Sequence, residues 1–137
     1  MSHTPLLLLL TLPAATEPTP NLLLADAGRT SYTIRVHRDA PPPERHAAEE
    51  LARFLRQISG ATFPIQTVGD SSPDSGPSLR VGASASRGFI TPAEIARLGP
   101  EGYILRAKGT SLAIAGGRPR GTLYGVYSFL EDYLDCR

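Results

Sequence analysis

The chain has 137 residues, which is enough for one hydrophobic core and too few for two domains of ordinary size. Fourteen basic and thirteen acidic residues leave a formal charge of +1, and no block of Lys or Arg forms a patch for a phosphate backbone, so we expect no nucleic-acid partner. The single cysteine, Cys136, excludes an internal disulfide and a cysteine-based zinc cluster, and we expect no cofactor.

Residues 1–20 are predicted to be a signal peptide and a linker. Leu6 to Leu10 form an apolar run that is too short to span a bilayer, and the small residues Ala14 and Ala15 follow it. Thr16 to Pro20 is typical of a linker. The pattern favours a secreted or periplasmic protein whose domain covers residues 21–137. Because no Lys or Arg precedes the apolar run, a disordered start is the alternative.

The next segment predicts a hairpin and a long helix. Leu22 to Ala25, a turn at Asp26-Ala27-Gly28 and the alternating run Tyr32 to His37 indicate two paired strands with one buried face. After three prolines, a helical period runs to Gly60, the expected C-terminal stop. Its predicted apolar face consists of Ala47, Leu51, Phe54, Leu55 and Ile58. On the polar face we expect Glu49 to pair with Arg53.

The second half predicts four more strands and two helices. Phe63 to Val68 indicates a strand that tolerates Pro64 only at its start or at a sheet edge. Leu79 to Gly82 indicates a short buried strand, and a capping box at Thr91 opens a short surface helix. Tyr103 to Ala107 and Ser111 to Ala115 read as a hairpin with largely buried strands, and a helix follows from Thr122. This order predicts an α+β fold, a two-layer sandwich in which a mixed β-sheet carries two long helices on one face.

Two segments resemble a known family: AAEELARFLRQISGATFPI (Ala47 to Ile65) and EGYILRAKGTSLAIAGGRPRGTLYGVYSFLEDYL (Glu101 to Leu134). They resemble the N-terminal domain of family-67 α-glucuronidases and related bacterial glycoside hydrolases. More distantly they are similar to the non-catalytic domain 2 of family-20 β-hexosaminidases. The resemblance implies an accessory domain that precedes a (β/α)₈ catalytic barrel. We expect that barrel to be absent from this chain, which would then be a fragment or a truncated reading frame.

No catalytic or metal site is predicted. A glycosidase needs two carboxyl groups facing each other across a cleft, whereas Glu131, Asp132 and Asp135 lie on one helical segment that we interpret as solvated. His46 with Glu49 and Glu50 has a spacing that can face a metal but lacks the second histidine of a zinc helix.

The glycine-rich turn from Gly116 to Gly121 precedes the last helix. It lacks the glycine spacing of a nucleotide site, so we interpret it as a tight turn with positive φ at Gly116 and Gly117. Arg118 is expected to be a solvated charge, and Arg120 an ion pair or an anchor to the next domain.

The last helix is predicted to lie between the sheet and a second body. Its predicted sheet-facing residues are Leu123, Val126, Tyr127, Leu130 and Leu134, with Tyr124, Phe129 and Tyr133 widening that surface. A stripe of small residues, Gly121, Gly125, Ser128 and Asp132, would face the missing barrel. The residues that we assign to an interdomain or structural motif are Arg120, Gly121, Tyr124, Gly125 and Tyr133.

The predicted function is architectural: a non-catalytic domain that supports a downstream catalytic barrel. A carbohydrate-binding module is the alternative, and it is the weaker one because the chain has no Trp and most of its five Tyr occupy core-like positions. A free-standing small enzyme is a third hypothesis, for which no paired catalytic groups are found.

Overall fold

A computed structural model describes residues 6–9, 21–73 and 76–134. Within them the strands are β1 Leu6–Leu9, β2 Asn21–Ala25, β3 Thr33–His37, β4 Ile65–Val68, β5 Ser78–Val81, β6 Tyr103–Lys108 and β7 Ser111–Gly116. The helices are α1 Pro42–Ser59, α2 Pro92–Ala96 and α3 Gly121–Ser128, and α3 continues into a π-helical turn, Phe129–Tyr133. From residue 21 onward the predicted order of strands and helices is confirmed.

The main sheet has five strands in the order β4-β3-β5-β7-β6. The pairs β4–β3, β3–β5 and β5–β7 are parallel, and only β6–β7 is antiparallel. Helices α1 and α3 pack against each other and against this sheet, α1 over β3 and α3 over β7. The predicted mixed sheet with two long helices on one face is therefore confirmed.

The predicted first hairpin is wrong. Strand β2 pairs with β1 in a separate two-stranded sheet, and β3 instead lies between its parallel neighbours β4 and β5. The chain does reverse after β2, where Asp26 and Arg29 exchange backbone hydrogen bonds of 2.8 and 3.0 Å. Arg35 and His37, the polar side chains that alternate with apolar ones along β3, are also buried, because β3 is an inner strand of the sheet.

The core fills the space between the sheet and the two long helices. Its largest fully buried side chains include Ile34, Leu51, Leu55, Leu79, Leu112, Ile114 and Phe129. The predicted face of α1 is confirmed at Ala47, Leu51 and Leu55, whereas Ile58 is 38% exposed. On the opposite face of the sheet, Ile90 packs with Ala113 and Ala115 in a smaller cluster beneath α2.

Local chemistry fixes where the helices begin and end. Helix α1 starts on prolines at its first two positions and stops at Gly60, whose φ of 77° needs a residue without a side chain. At α2 the predicted capping box forms: Thr91 Oγ1 accepts from the Glu94 N–H at 3.1 Å, and Glu94 Oε1 accepts from the Thr91 N–H at 3.0 Å.

The two edge strands of the main sheet are the most exposed. Strand β4 lies at one edge, as the prediction allowed, and Pro64 comes just before it. Strand β6 forms the other edge and is only half-buried, so the hairpin prediction of two largely buried strands holds for β7 alone. No helix in the described part of the chain has the length and apolar character to cross a membrane.

Candidate interdomain surface

The glycine-rich turn between β7 and α3 stacks directly on residues 99–102. The Gly117 N–H donates to the Gly102 carbonyl at 2.9 Å, and the Arg120 N–H donates to the Pro100 carbonyl at 3.1 Å. A Cβ on Gly116 or Gly121 would collide with the Gly102 carbonyl oxygen. The predicted positive φ at Gly116 and Gly117 is wrong, because these glycines are required by close backbone contact.

The predicted faces of α3 are confirmed only in part: Val126 and Leu130 are buried in the core and Leu123 packs against it, but the glycines do not face outward. Gly121 and Gly125 are buried against the chain's own sheet, where a Cβ on Gly125 would lie 2.9 Å from Ile114 Cγ2 and 3.1 Å from Tyr103 Cβ. Gly121 and Gly125 thus let the helix approach its own strands, whereas Asp132 of the predicted stripe is exposed and Tyr127 is 37% exposed. The π-helical turn after Ser128 changes the angular step per residue, so a regular helical projection fails there.

Three tyrosines are partly exposed, Tyr103 on β6 and Tyr124 and Tyr127 on α3. Tyr103 is 38% exposed, Tyr124 36% and Tyr127 37%, and we call these three residues the tyrosine surface. Tyr133 is half-buried, with its ring centroid 6.3 Å from that of Phe129, which is fully buried. The expectation that most tyrosines occupy the core is therefore wrong: only Tyr32 is fully enclosed.

The ion pair that was one of the two roles expected for Arg120 is made by Arg118, whose side chain is still 63% exposed. Arg120 is exposed, and within residues 21–73 and 76–134 its side chain makes no ion pair. Arg118, which was expected to be solvated, places its Nε 3.7 Å from Oε2 of Glu44. Of the two roles predicted for Arg120, the anchor to another domain stays a prediction.

Glu44 is a buried carboxylate that joins three segments at the carboxyl ends of the parallel strands. Its side chain, in the first turn of α1, is only 3% exposed and accepts the Ala83 N–H that follows β5. Burial raises the pKa of the Glu44 carboxyl, and the nearby Arg118 guanidinium partly offsets this. Gly82 has a φ of 100°, and a Cβ there would strike Glu44 Oε1.

A second charged group lies beside Glu44 at the same edge of the sheet. The His37 Nδ1 accepts the Asp39 N–H at 3.1 Å, so the Nε2–H donates to Asp70 Oδ1 at 2.9 Å. Arg87 NH1 donates to the same oxygen at 2.7 Å. The hydrogen bond from His37, followed by the charge of Arg87, lowers the pKa of Asp70.

Glu94, Glu131 and Asp132 are acidic side chains that are partly or fully exposed. Glu94 pairs with Arg106 at 2.7 Å, and its hydrogen bond from the Thr91 N–H, together with Arg106, lowers its pKa to about 2. As predicted, Glu131 and Asp132 are exposed, while Asp135 lies outside the described residues.

The candidate metal face on α1 is occupied by an ordinary surface ion pair. Arg53 pairs with Glu50 at 2.6 Å rather than with Glu49, and His46 Nε2 lies 3.7 Å from Glu50. In the part of the chain that the structure describes, no three His, Cys, Asp or Glu side chains lie close enough together to bind a metal ion.

Sequence reasoning missed Glu44, Asp70 and the outward position of Tyr103. An acidic residue in the first turn after a proline run is a local sign of a helix N-terminus, but it does not reveal the arginine that it meets. That contact is set by the strand order.

Comparison with protein families identifies the domain. The model described as glycosyl hydrolase family 67 N-terminus matches residues 24–129. The chain belongs to the family of glycosyl hydrolase family 67 N-terminal domains. The family-67 match runs from β2 to the start of the π-helical turn, so it includes the whole main sheet and both long helices. No curated protein matches this family-67 domain.

Proposed function

We propose that this family-67 domain is a non-catalytic accessory domain that packs beside a (β/α)₈ catalytic domain of an α-glucuronidase-like glycoside hydrolase and stabilises it. The family match carries the proposal. It is supported by the acidic side chains, because Glu44, Asp70 and Glu94 are each engaged by an arginine of the domain itself. The distant resemblance to domain 2 of family-20 β-hexosaminidases is in keeping with the same role.

The tyrosine surface is the proposed contact with the catalytic domain. The residues that follow the family match include the π-helical turn, and Tyr133 of that turn lies within electrostatic range of Tyr103. A following domain would therefore begin beside the tyrosine surface. Partly exposed tyrosines and arginine are the side chains most enriched at protein interfaces, and Arg120 lies at the first residue before α3.

The proposal is tested by binding this chain to a separately produced family-67 catalytic domain. We expect a complex in sedimentation, and we expect Tyr103→Ser and Tyr124→Ser each to weaken it by about tenfold, in line with loss of one aromatic contact. Ile65→Ser is the matched control, because Ile65 is 42% exposed on the opposite edge strand. No complex, or equal weakening by Ile65→Ser, would refute this docking surface.

Hydrolysis assays test the non-catalytic part of the proposal. We expect the chain alone to release no product from aryl-glycosides or glucuronoxylan fragments. Activity that persists through purification and disappears in Glu131→Gln or Asp132→Asn would establish the free-standing enzyme instead.

A carbohydrate-binding module is the second candidate, and the tyrosine surface is the observation that favours it. Aromatic rings with exposed faces can stack on sugar rings, and three tyrosines here are more than one-third exposed. Calorimetric titration with xylo-oligosaccharides separates the two functions: binding that is lost in Tyr124→Ser would support the module, and its absence supports the accessory role.

We also propose that the protein is exported, with residues 1–20 acting as signal peptide and linker. The apolar run at Leu6 to Leu10 and the small residues after it support this assignment. Expression with its own leader in a bacterial host, followed by N-terminal sequencing of the periplasmic fraction, tests it. A protein retained in the cytoplasm with Met1 intact would contradict export.

A further inference from the structure

A cavity lies at the carboxyl ends of the parallel strands, away from the tyrosine surface. Its volume is about 270 Å³, and it opens between the segment that follows β5, helix α2 and the turn that follows β7. In open sheets with parallel strands, the loops that leave the carboxyl ends form the crevice in which ligands bind. The proposed function makes no use of this cavity.

The lining of the cavity divides into an apolar wall and a cationic rim. The wall is formed by Ala83, Pro92, Ile95 and Ala96. The rim carries the Arg87 and Arg118 guanidinium groups and the Ser84 hydroxyl, and no acidic side chain is among these lining residues. This combination suits a ligand with a negative head group and a small apolar body.

Each guanidinium group lies close to a carboxylate of the domain. Arg87 uses NH1 to bind Asp70 at 2.7 Å, and Arg118 places Nε 3.7 Å from the buried Glu44. An arginine carries five N–H donors, so these contacts leave other donors of both side chains for a ligand. Glu44 also accepts the N–H of Ala83 in the cavity wall, which makes Glu44 a positioning residue for both parts of the site.

We propose that this cavity is a binding site for a small oxyanion, a carboxylate or phosphate group, carried on an apolar body about the size of one six-membered ring. Two guanidinium groups and a hydroxyl can give several charge-assisted hydrogen bonds to one oxyanion. The apolar wall then takes the rest of the ligand. A volume of about 270 Å³ limits that body to a single ring.

The test is titration of the full chain with phenyl phosphate, benzoate, inorganic phosphate and neutral benzyl alcohol, monitored by NMR at constant ionic strength. We expect phenyl phosphate or benzoate to shift the signals of Ala83 and Ser84, with the stronger of the two identifying the head group. Inorganic phosphate should bind more weakly because it lacks the apolar body, and benzyl alcohol should not bind. Constant ionic strength removes non-specific screening effects.

Three variants locate the site. Arg87→Gln and Arg118→Gln should each weaken binding by about tenfold or more, the expected loss of a hydrogen bond to a charged group. Arg97→Gln is the matched control, because Arg97 follows the same helix α2 without lining the cavity.

The proposal is overturned if neither phenyl phosphate nor benzoate binds at about 10 mM, a limit weaker than ordinary small-ligand affinities. It is also overturned if Arg97→Gln weakens binding as much as Arg118→Gln, since the effect would then be one of net charge. Thermal melts confirm that each variant is folded; Arg87 and Arg118 are mostly exposed, so their replacement leaves the core intact.

Discussion

Adding one methyl group to Gly121 or Gly125 should destabilise the domain, whereas the same change at Gly99 should not. A Cβ on Gly121 would meet the backbone of Gly102 and lie 2.9 Å from the Gly116 carbonyl carbon, and neither backbone can move without breaking the turn. Overpacking of this kind costs about 3 kcal/mol. At Gly125 the neighbours are side chains that can shift, and alanine gains about 1 kcal/mol of helix propensity.

We therefore expect the free energy of unfolding to fall by about 3 kcal/mol for Gly121→Ala and by roughly 1 kcal/mol for Gly125→Ala. Gly99→Ala is the control, because a Cβ there has open space and no positive φ, so it should be neutral or stabilise by up to about 1 kcal/mol through the unfolded state. Gly76 is unsuitable as a control, because alanine would be strained at its φ of 73° even though a Cβ there has open space. Urea unfolding measures all three, and equal stability of Gly121→Ala and Gly99→Ala would refute the close-approach argument.

Three further predictions concern the core, the pH dependence of stability and the leader. Phe129→Ala should lower the free energy of unfolding in urea by about 3–5 kcal/mol, because the ring is fully buried. Tyr124→Ser in the isolated chain should lower it by under about 1 kcal/mol, because Tyr124 is partly exposed. Equal losses for the two variants would contradict the assigned faces of the last helical segment. In the folded chain the Glu94 carboxyl has a pKa of about 2, below its value in the unfolded chain. Its ionised form therefore adds to the free energy of unfolding above pH 4.5, and this contribution is lost as the pH falls towards 2. Wild type should therefore lose more stability over this range than Glu94→Gln, and parallel pH curves would contradict the ion pair. A chain of residues 21–137 should melt within a few degrees of the full chain, because Leu22 and Leu24 remain available to the core; failure to fold would contradict the leader assignment.

Features with a local chemical cause were predictable from the sequence. The end of α1 at Gly60 could be predicted because it depends only on the positive φ of that residue. The cap of α2 at Thr91 could be predicted because its partner Glu94 lies three residues away. The antiparallel hairpin of β6 and β7 has its turn between adjacent strands. Each of these could be assigned from one short window of sequence.

Features that depend on distant parts of the chain were not predictable. Strand β3 was assigned to a hairpin with β2 because adjacent strands usually pair, but its partners are β4 and β5, which come after helix α1. The choice between Arg118 and Arg120 depended on Glu44, which lies far away in the sequence. Periodicity placed Gly125 on the outer face of α3, because a hydrophobic projection gives no weight to how closely a helix can approach a sheet.

The strand order also constrains how this domain is made on the ribosome. Strand β3 emerges early but stays unpaired on both edges until β4 and β5 have been synthesised, and the apolar sheet face is closed only when Phe129 of the last helical segment arrives. The nascent chain therefore exposes strand edges through most of its synthesis, the stage at which such edges are prone to aggregate.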